Sequence, residues 1–522
     1  MSSLSRLSIL FTFTSFIILH IKMDISISVS GILLAFITLC LASWWAKWFS
    51  KKRYPPGPWG FPIFGHLPLL SNKPELKYSK WRQKYGDIFS IRFGSWNTII
   101  VNGYEAIKDA AERKDDVFSG RPEFATEIAI RESFDGLESI TFCNFTPKYL
   151  QLRKRTTMAM RKYVNKCDYS PNDLFREEAE KLTEKLLRYP PDEPVSIDLD
   201  IQLAVISALY QMLFGRGKED EIKPHLNLII ESTETFNKFV SSGNLVDVIP
   251  WLRYIMKMEV DKFKAAITAT DSITKSKISE HRTSFQTGQT RDILDALCDL
   301  SNDLPENGTG DTLSATLLQF QILSLQGAGF DTTSRTIMFI ILYLITFPDV
   351  QERAQKEIDQ ELGSSRNISG NDQAKLPYVM ATVLEVLRKT AIVPFAIPHL
   401  TLHDTKLRGY DIDKDTVVFF NLHSVAHEES YWGDPENFRP ERLLDDSGNL
   451  DRVKCSHIMA FGAGRRQCPG ETIAKMKIFI VIATLLQRCS FQKAGGSDLN
   501  LDPTRGLVLS PKPFKVIVKR RL

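Results

Sequence analysis

The chain has 522 residues, 43% of them hydrophobic and 25% charged. This composition excludes a disordered chain, a collagen-like chain and a polytopic transporter. Lys plus Arg number 66 against 62 Asp plus Glu, and a net charge of +4 over this length gives no case for nucleic acid as a partner.

The N-terminus reads as a membrane attachment. Residues 1–24 form an N-terminal extension: Ser8–Ile21 is an apolar stretch of marginal length, and Met23 just beyond it is an alternative start. From Ile25 to Phe49 the sequence is uncharged until Lys47. About 20 such residues cross a bilayer core at roughly 1.5 Å each. Trp44, Trp45 and Trp48 stand where an interfacial aromatic belt belongs, and Lys47, Lys51, Lys52 and Arg53 mark the cytosolic side. The expectation is a single retained anchor at 25–49, a basic, proline-rich hinge at 50–58, and a cytosolic body at 59–522. The run Tyr54-Pro-Pro-Gly-Pro58 reads as a stiff spacer. Asn144, Asn307 and Asn367 head glycosylation acceptor motifs, which are chance matches if the body is cytosolic.

Beyond the hinge, Ile88–Phe93 and Thr98–Val101 read as strands of a small sheet. Helical periodicity dominates from about Glu105 to Phe347, broken at Pro171, Pro190-Pro191, Pro250 and Gly308–Gly310. Within it, Leu313–Phe347 reads as one long helix; its last apolar stretch is too short to span a membrane, and Gln319, Gln321, Gln326 and Arg335 mark it as a core helix. A mixed region runs from Pro394 to Phe461, and a final helix from about Glu471 to Gln487. The predicted fold class is mainly α with a minor β part.

Seven cysteines, an odd number without a C-x-x-C pair, indicate neither a disulfide framework nor a zinc site and suit a reducing compartment. One of them, Cys468, sits in the loop Phe461-Gly-Ala-Gly-Arg-Arg-Gln-Cys-Pro-Gly470, directly before the last helix. Gly462, Gly464 and Gly470 permit conformations and close approaches that a Cβ would block. Amide donors, the helix N-terminus and Arg466 would favour thiolate over thiol, which suits a metal ligand. In the long helix, Gly327-Ala-Gly-Phe-Asp-Thr-Thr333 lets a flat ligand approach the backbone. A threonine hydroxyl there can take over a carbonyl bond and open a local bulge. Glu385 and Arg388 share a helix face at i, i+3. A second E-x-x-R, Glu436–Arg439, lies in a proline-broken loop and reads as solvated charge.

The spacing F-x-x-G-x-R-x-C-x-G from Phe461 to Gly470 resembles the haem-binding loop of the cytochrome P450 superfamily, and the resemblance covers essentially the whole chain. It implies the cytochrome P450 fold, with haem b (iron protoporphyrin IX) as cofactor, Cys468 as axial ligand to the iron, and Phe461 and Gly462 in the ligand loop. Ala328–Thr333 matches the family's A-G-x-D-T-T stretch, in which Thr332 hydrogen-bonds oxygen and Asp331 helps feed protons. Glu385, Arg388 and Arg442 would form a buried scaffold network. Cations for the haem propionates would be Arg153, His399 and Arg466. The tryptophan of the family's W-x-x-x-R is Tyr149 here, a departure.

The implied activity is a monooxygenase at the endoplasmic reticulum membrane that inserts one oxygen atom from dioxygen into a lipophilic substrate, polycyclic aromatic or steroid-like. Its electrons would come from NADPH through cytochrome P450 reductase, with cytochrome b5 a further candidate donor, because no strand–GxGxxG–helix fingerprint is present. GAGFDT, VPFAIPH and GETIA resemble the animal aryl-hydrocarbon hydroxylases, whereas Asn244–Leu252 resembles the steroid 17α-hydroxylases; both branches stay open. So do two other readings, a haem-thiolate isomerase or dehydratase acting on a peroxide, and a non-enzymatic haem-binding membrane protein. The Asp331-Thr332 pair counts against the isomerase.

Overall fold

The structure is a computed structural model that describes Gly31 and residues 52–521, apart from 71–72, 135–138, 168, 217–220, 222, 241–243, 303–314, 365 and 496–498. The expected anchor lies outside the described residues, Gly31 excepted, as do the extension and Asn307. The chain divides into two units, Met1–Tyr54 with Gly409–Asp411, and Pro55–Arg408 with Ile412–Leu522. In the first, Lys52–Tyr54 is exposed. The second carries the elements below, except Tyr410 and Asp411 of β5, which belong to the first.

The strands are β1 (Ile88–Phe93), β2 (Trp96–Asn102), β3 (His399–Leu400), β4 (Thr405–Leu407), β5 (Tyr410–Ile412), β6 (Val417–Asn421), β7 (Cys489–Lys493) and β8 (Val516–Arg520). One sheet has the order β1-β2-β6-β3. β1 and β2 pair antiparallel, as two neighbouring strands joined by a short turn can. β2 and β6 pair parallel, so the chain must cross over between them, and most of the helices lie in that crossover. β6 (VVFFN) is buried at every position, which explains its continuous apolar run.

Edge strand β1 is covered by the proline run. Ser90 donates its amide to the Pro56 carbonyl at 2.8 Å and its hydroxyl to the Pro55 carbonyl at 2.9 Å. A Cβ on Gly57 would lie 1.9 Å from the Ser90 carbonyl oxygen. Pro55–Pro58 is therefore docked on the body and is not a free spacer. A segment whose prolines lack amide donors suits the capping of an exposed sheet edge.

The longer helices are α1 (Pro74–Tyr85), α2 (Pro147–Lys166), α3 (Pro171–Leu186), α4 (Asp198–Phe214), α5 (Leu226–Phe239), α6 (Lys257–Thr283), α7 (Ile293–Asn302), α8 (Ala315–Thr346), α9 (Pro348–Glu361), α10 (Pro377–Thr390) and α11 (Glu471–Arg488). Proline opens α1, α2, α3, α9 and α10, a position where its missing N–H costs nothing. Pro171 thus starts a helix, with Ser170 as its side-chain cap.

Helix α8 is the central post, packed against α4, α6, α10 and α11. Leu318–Thr346 is long and apolar enough to cross a membrane, but 78% of its most apolar window is buried inside the protein. Its glutamines serve the core as expected: Gln319 donates to Asp271 on α6, and Gln321 to Thr156 on α2 at 3.1 Å. The expected bulge does not form, since α8 runs unbroken through Thr332. The Thr332 hydroxyl does bond the Ala328 carbonyl, at 2.7 Å, but as an extra donor alongside the helix.

Glu385, Arg388 and Arg442 meet in the core. Both Glu385 oxygens accept from Arg388 at 2.8 Å, and one also accepts from Arg442 Nε at 2.9 Å. The remaining guanidinium donors reach main-chain oxygens of Ala426, Pro435, Trp432, Asp434 and Asn437. This clasp ties α10 to the segment before the cysteine loop. Glu436 and Arg439 instead lie at the surface, paired with Lys389 and Asp434.

Candidate active site

The cysteine loop curls back on itself. The Cys468 amide donates to the Phe461 carbonyl at 2.9 Å, and Gly462 and Gly464 take positive φ of 76° and 66°. Gly464 is required for a second reason: a Cβ there would lie 1.7 Å from the Ala111 carbonyl oxygen. Ala111 belongs to a single π-helical turn, Asp109–Arg113, against which the loop is pressed. Gly470 has an ordinary φ of −90°, and a Cβ there would meet only ordinary contacts, so the conformational need expected for it does not apply.

Cys468 lies beside the amides of Gly470 and Glu471 at the start of α11. Burial nevertheless pushes the thiol up, and those amides and the Arg153 charge offset this only in part. The residue is solvent-accessible even so. The Arg466 guanidinium, expected to help, is directed at the carbonyls of Ser119 and Cys143. Bound to a metal ion, a thiol gives up its proton outright.

Arg466 donates Nε to the Ser119 carbonyl at 2.9 Å and Nη2 to the Cys143 carbonyl at 2.8 Å, and lies 3.8 Å over the Tyr149 ring. Arg121, buried, donates to the carbonyls of Thr141, Ile397 and Pro398 at 3.1, 2.8 and 2.9 Å. Among the described residues, neither guanidinium pairs with a carboxylate. His399 lies beside both and donates Nδ1–H to the Phe118 carbonyl at 2.7 Å. Burial, then the charges of Arg121 and Arg466, hold its pKa well below the ordinary value. An anion set against the two arginines would reverse that charge effect. Arg153, one turn after Tyr149 on α2, donates to the Gln467 carbonyl, and the Tyr149 hydroxyl donates to the Arg465 carbonyl at 3.2 Å. Tyrosine therefore keeps this helix in register with the loop.

On α8, Gly327 and Ala328 are exposed although Gln326 and Phe330 beside them are buried, and a Cβ on Gly327 would meet nothing within 4 Å. A cavity of about 240 Å³ opens here. Its wall includes Ala328, Asp331 and Thr332 from α8, Ile229 and Phe236 from α5, and Leu507. Asp331 is paired with Arg335 at 2.5 Å; burial raises its pKa and Arg335 opposes the rise. The residues fit haem: a sulfur donor, a buried and a half-buried guanidinium group lacking an acid partner for its carboxylates, and an exposed glycine–alanine stretch for a flat ring. Sequence reasoning missed Arg121, Ala111 and the link from Arg335 to Ser510. Arg121 follows Gly120 and precedes Pro122, a weak signal; the others leave none.

A mainly helical protein with a cysteine loop, uncompensated cations and an apolar cavity ending on a threonine belongs to the haem-thiolate class. The family model described as Cytochrome P450 matches residues 55–518, and the chain belongs to that family. It is 33% identical to cytochrome P450 1A1 of Felis catus over 505 residues, 93% of this chain and 96% of the relative. Cytochrome P450 1A1 of Rattus norvegicus is 33% identical over 500 residues, 92% of this chain and 94% of the relative. That of Homo sapiens is 32% identical over 506 residues, 93% and 96%. The protein is a cytochrome P450 monooxygenase of mainly α fold with haem b as its cofactor.

Proposed function

We propose that this enzyme inserts one atom of dioxygen into a lipophilic, polycyclic aromatic or steroid-like substrate at the endoplasmic reticulum membrane. The carrying observation is the cavity that runs from apolar side chains of α5 to Ala328, Asp331 and Thr332 of α8. Bound haem supplies the iron centre at which dioxygen is reduced and cleaved. Cys468 holds that group by its sulfur, with Phe461 and Gly462 shaping the loop. Arg121, Arg153, His399 and Arg466 meet its carboxylates. The apolar wall excludes water and orients the substrate, Thr332 positions a proton through its hydroxyl, and Asp331 renews it. Electrons come from NADPH through a reductase, with cytochrome b5 as a second candidate donor.

The body is arranged as residues 59–522 behind an anchor at 25–49. Trp59 is 87% exposed, Tyr254 and Ile255 each 71%. The two segments meet at the β1–β2 turn, where Gly94 donates to the Phe64 carbonyl and Ser95 to that of Val248. This apolar rim suits a second contact with lipid.

Binding spectra with planar aromatics, steroids and fatty acids test the substrate class. A response confined to fatty acids would overturn it. Thr332→Ala should keep those spectra while product per NADPH falls by about 10²–10⁴, the usual scale of general-acid assistance, and peroxide is released instead. Unchanged coupling would remove Thr332 from this role.

A further inference from the structure

Arg335 lies four residues beyond Asp331, one turn along α8, and the two side chains are each only 13% exposed. Its guanidinium faces two partners. Nε donates to Asp331 Oδ1 at 2.5 Å, and Nη1 donates to the hydroxyl of Ser510, 175 residues away. Ser510 closes a tight loop in which Thr504 and Ser510 exchange amide–carbonyl bonds of 2.8 and 3.0 Å. That loop is clasped in turn by Asn237 of α5. The Val508 amide donates to Asn237 Oδ1 at 2.8 Å, and Asn237 Nδ2 donates to the Val508 carbonyl at 3.1 Å. Asn237, Leu507, Val508, Asp331 and Thr332 all line the same cavity.

We infer that Arg335 is a positioning residue that sets the Asp331 carboxylate and links its placement to the wall of the substrate cavity formed by residues 504–510. The inference rests on the proposed role of Asp331. Its physical basis is the planar guanidinium fork, which can hold two partners in fixed directions at once, whereas a lysine ammonium is a single point charge on a flexible stem. With the fork in place, the Asp331 carboxylate is held toward Arg335, and a substrate that shifts Leu507 or Val508 shifts Ser510 with them. Without it, the buried carboxylate keeps Glu234 of α5 as a neighbouring negative charge and loses its counter-charge.

The experiment uses the full-length, haem-loaded enzyme with NADPH, a P450 reductase and a turned-over substrate. Arg335→Ala should lower product per NADPH about tenfold, less than the roughly 10²–10⁴ typical of losing a general acid, with substrate affinity nearly unchanged. Hydrogen exchange at the amides of Leu509 and Ser510 should rise in the same variant. Arg335→Lys should recover part of the coupling, because the charge returns, but not the exchange protection, because the fork does not. Ser510→Ala tests the tether without touching the ion pair and serves also if Arg335→Ala folds poorly; it should raise exchange and lower coupling. If Asp331→Asn uncouples the enzyme but Arg335→Ala and Ser510→Ala do not, the inference fails and the role of Asp331 stands. If Asp331→Asn is fully coupled, the role of Asp331 fails and the inference with it. A coupling loss in Arg335→Ala without any change in exchange overturns the link to the loop.

Discussion

The guanidinium carbon of Arg466 lies 3.8 Å from the centroid of the Tyr149 ring while its nitrogens reach the carbonyls of Ser119 and Cys143. The tyrosine therefore helps to hold a cation that has no acid partner among the described residues. A cation–π contact of this kind contributes roughly 0.5–2 kcal/mol. Tyr149→Ala should lower the haem-to-protein ratio after gel filtration, and Tyr149→Trp should restore it. Arg121→Ala combined with Arg466→Ala should retain least, because both positive charges are gone. Full haem retention by the double variant would separate these arginines from the cofactor.

Cys468→Ala should lose haem, activity, or both, while far-ultraviolet circular dichroism stays mainly helical. The wild-type ferrous–carbonyl complex should show the red-shifted Soret band of thiolate ligation. A histidine-like band in well-folded wild-type protein would contradict the assignment of Cys468.

Glu385 accepts from two arginines in the core, and all three side chains are nearly inaccessible. Removing the acid strands two buried charges, and breaking such a network typically costs about 3–5 kcal/mol. Glu385→Ala should shift the urea midpoint down accordingly. Glu436→Ala, in the exposed copy of the motif, should leave it unchanged.

His281 of α6 lies 2.8 Å from Asp295 and 3.2 Å from Asp292, in a cluster with Arg291. Burial opposes its charge, but hydrogen bonds to Asp292 and Asp295 prevail and raise its pKa from 6.5 to about 9. The folded value exceeds the unfolded one, so the stabilisation is complete below pH 6.5 and is lost as pH rises through about 9. His281→Gln should therefore destabilise the protein more at pH 6 than at pH 10. Comparing the variant with the wild type also cancels Lys477, whose burial draws its pKa to about 7 and gives the opposite slope. An equal loss of urea midpoint at both pH values would refute the assignment.

A chain beginning at Met23 should fractionate with membranes, and protease added outside sealed microsomes should digest its body. A chain beginning at Tyr54 should be partly soluble and still bind vesicles weakly. Replacing Trp251, Tyr254 and Ile255 by Glu should abolish that residual binding, because charge in an apolar rim is costly to bury in lipid. Protection of the body together with glycan on Asn367 would reverse the orientation.

Much of this molecule could be read from local pattern alone. Strand β1, the core character of α8, the span of α11 within a residue, and the pairing of Glu385 with Arg388 follow from periodicities of two and 3.6 residues. The Phe461–Gly470 spacing likewise singles out Cys468, because a tight loop around one sulfur needs its glycines a few residues apart. What sequence could not supply is every contact between residues far apart in the chain. Arg466 reaches the Cys143 carbonyl across 323 residues, and Arg335 reaches Ser510 across 175. The proline run docks on β1, the Ala111 carbonyl presses on Gly464, and two arginines help to hold the His399 pKa down. Such relations depend on which main-chain oxygens and charges the packed fold brings together, and a carbonyl looks the same in every residue of a sequence.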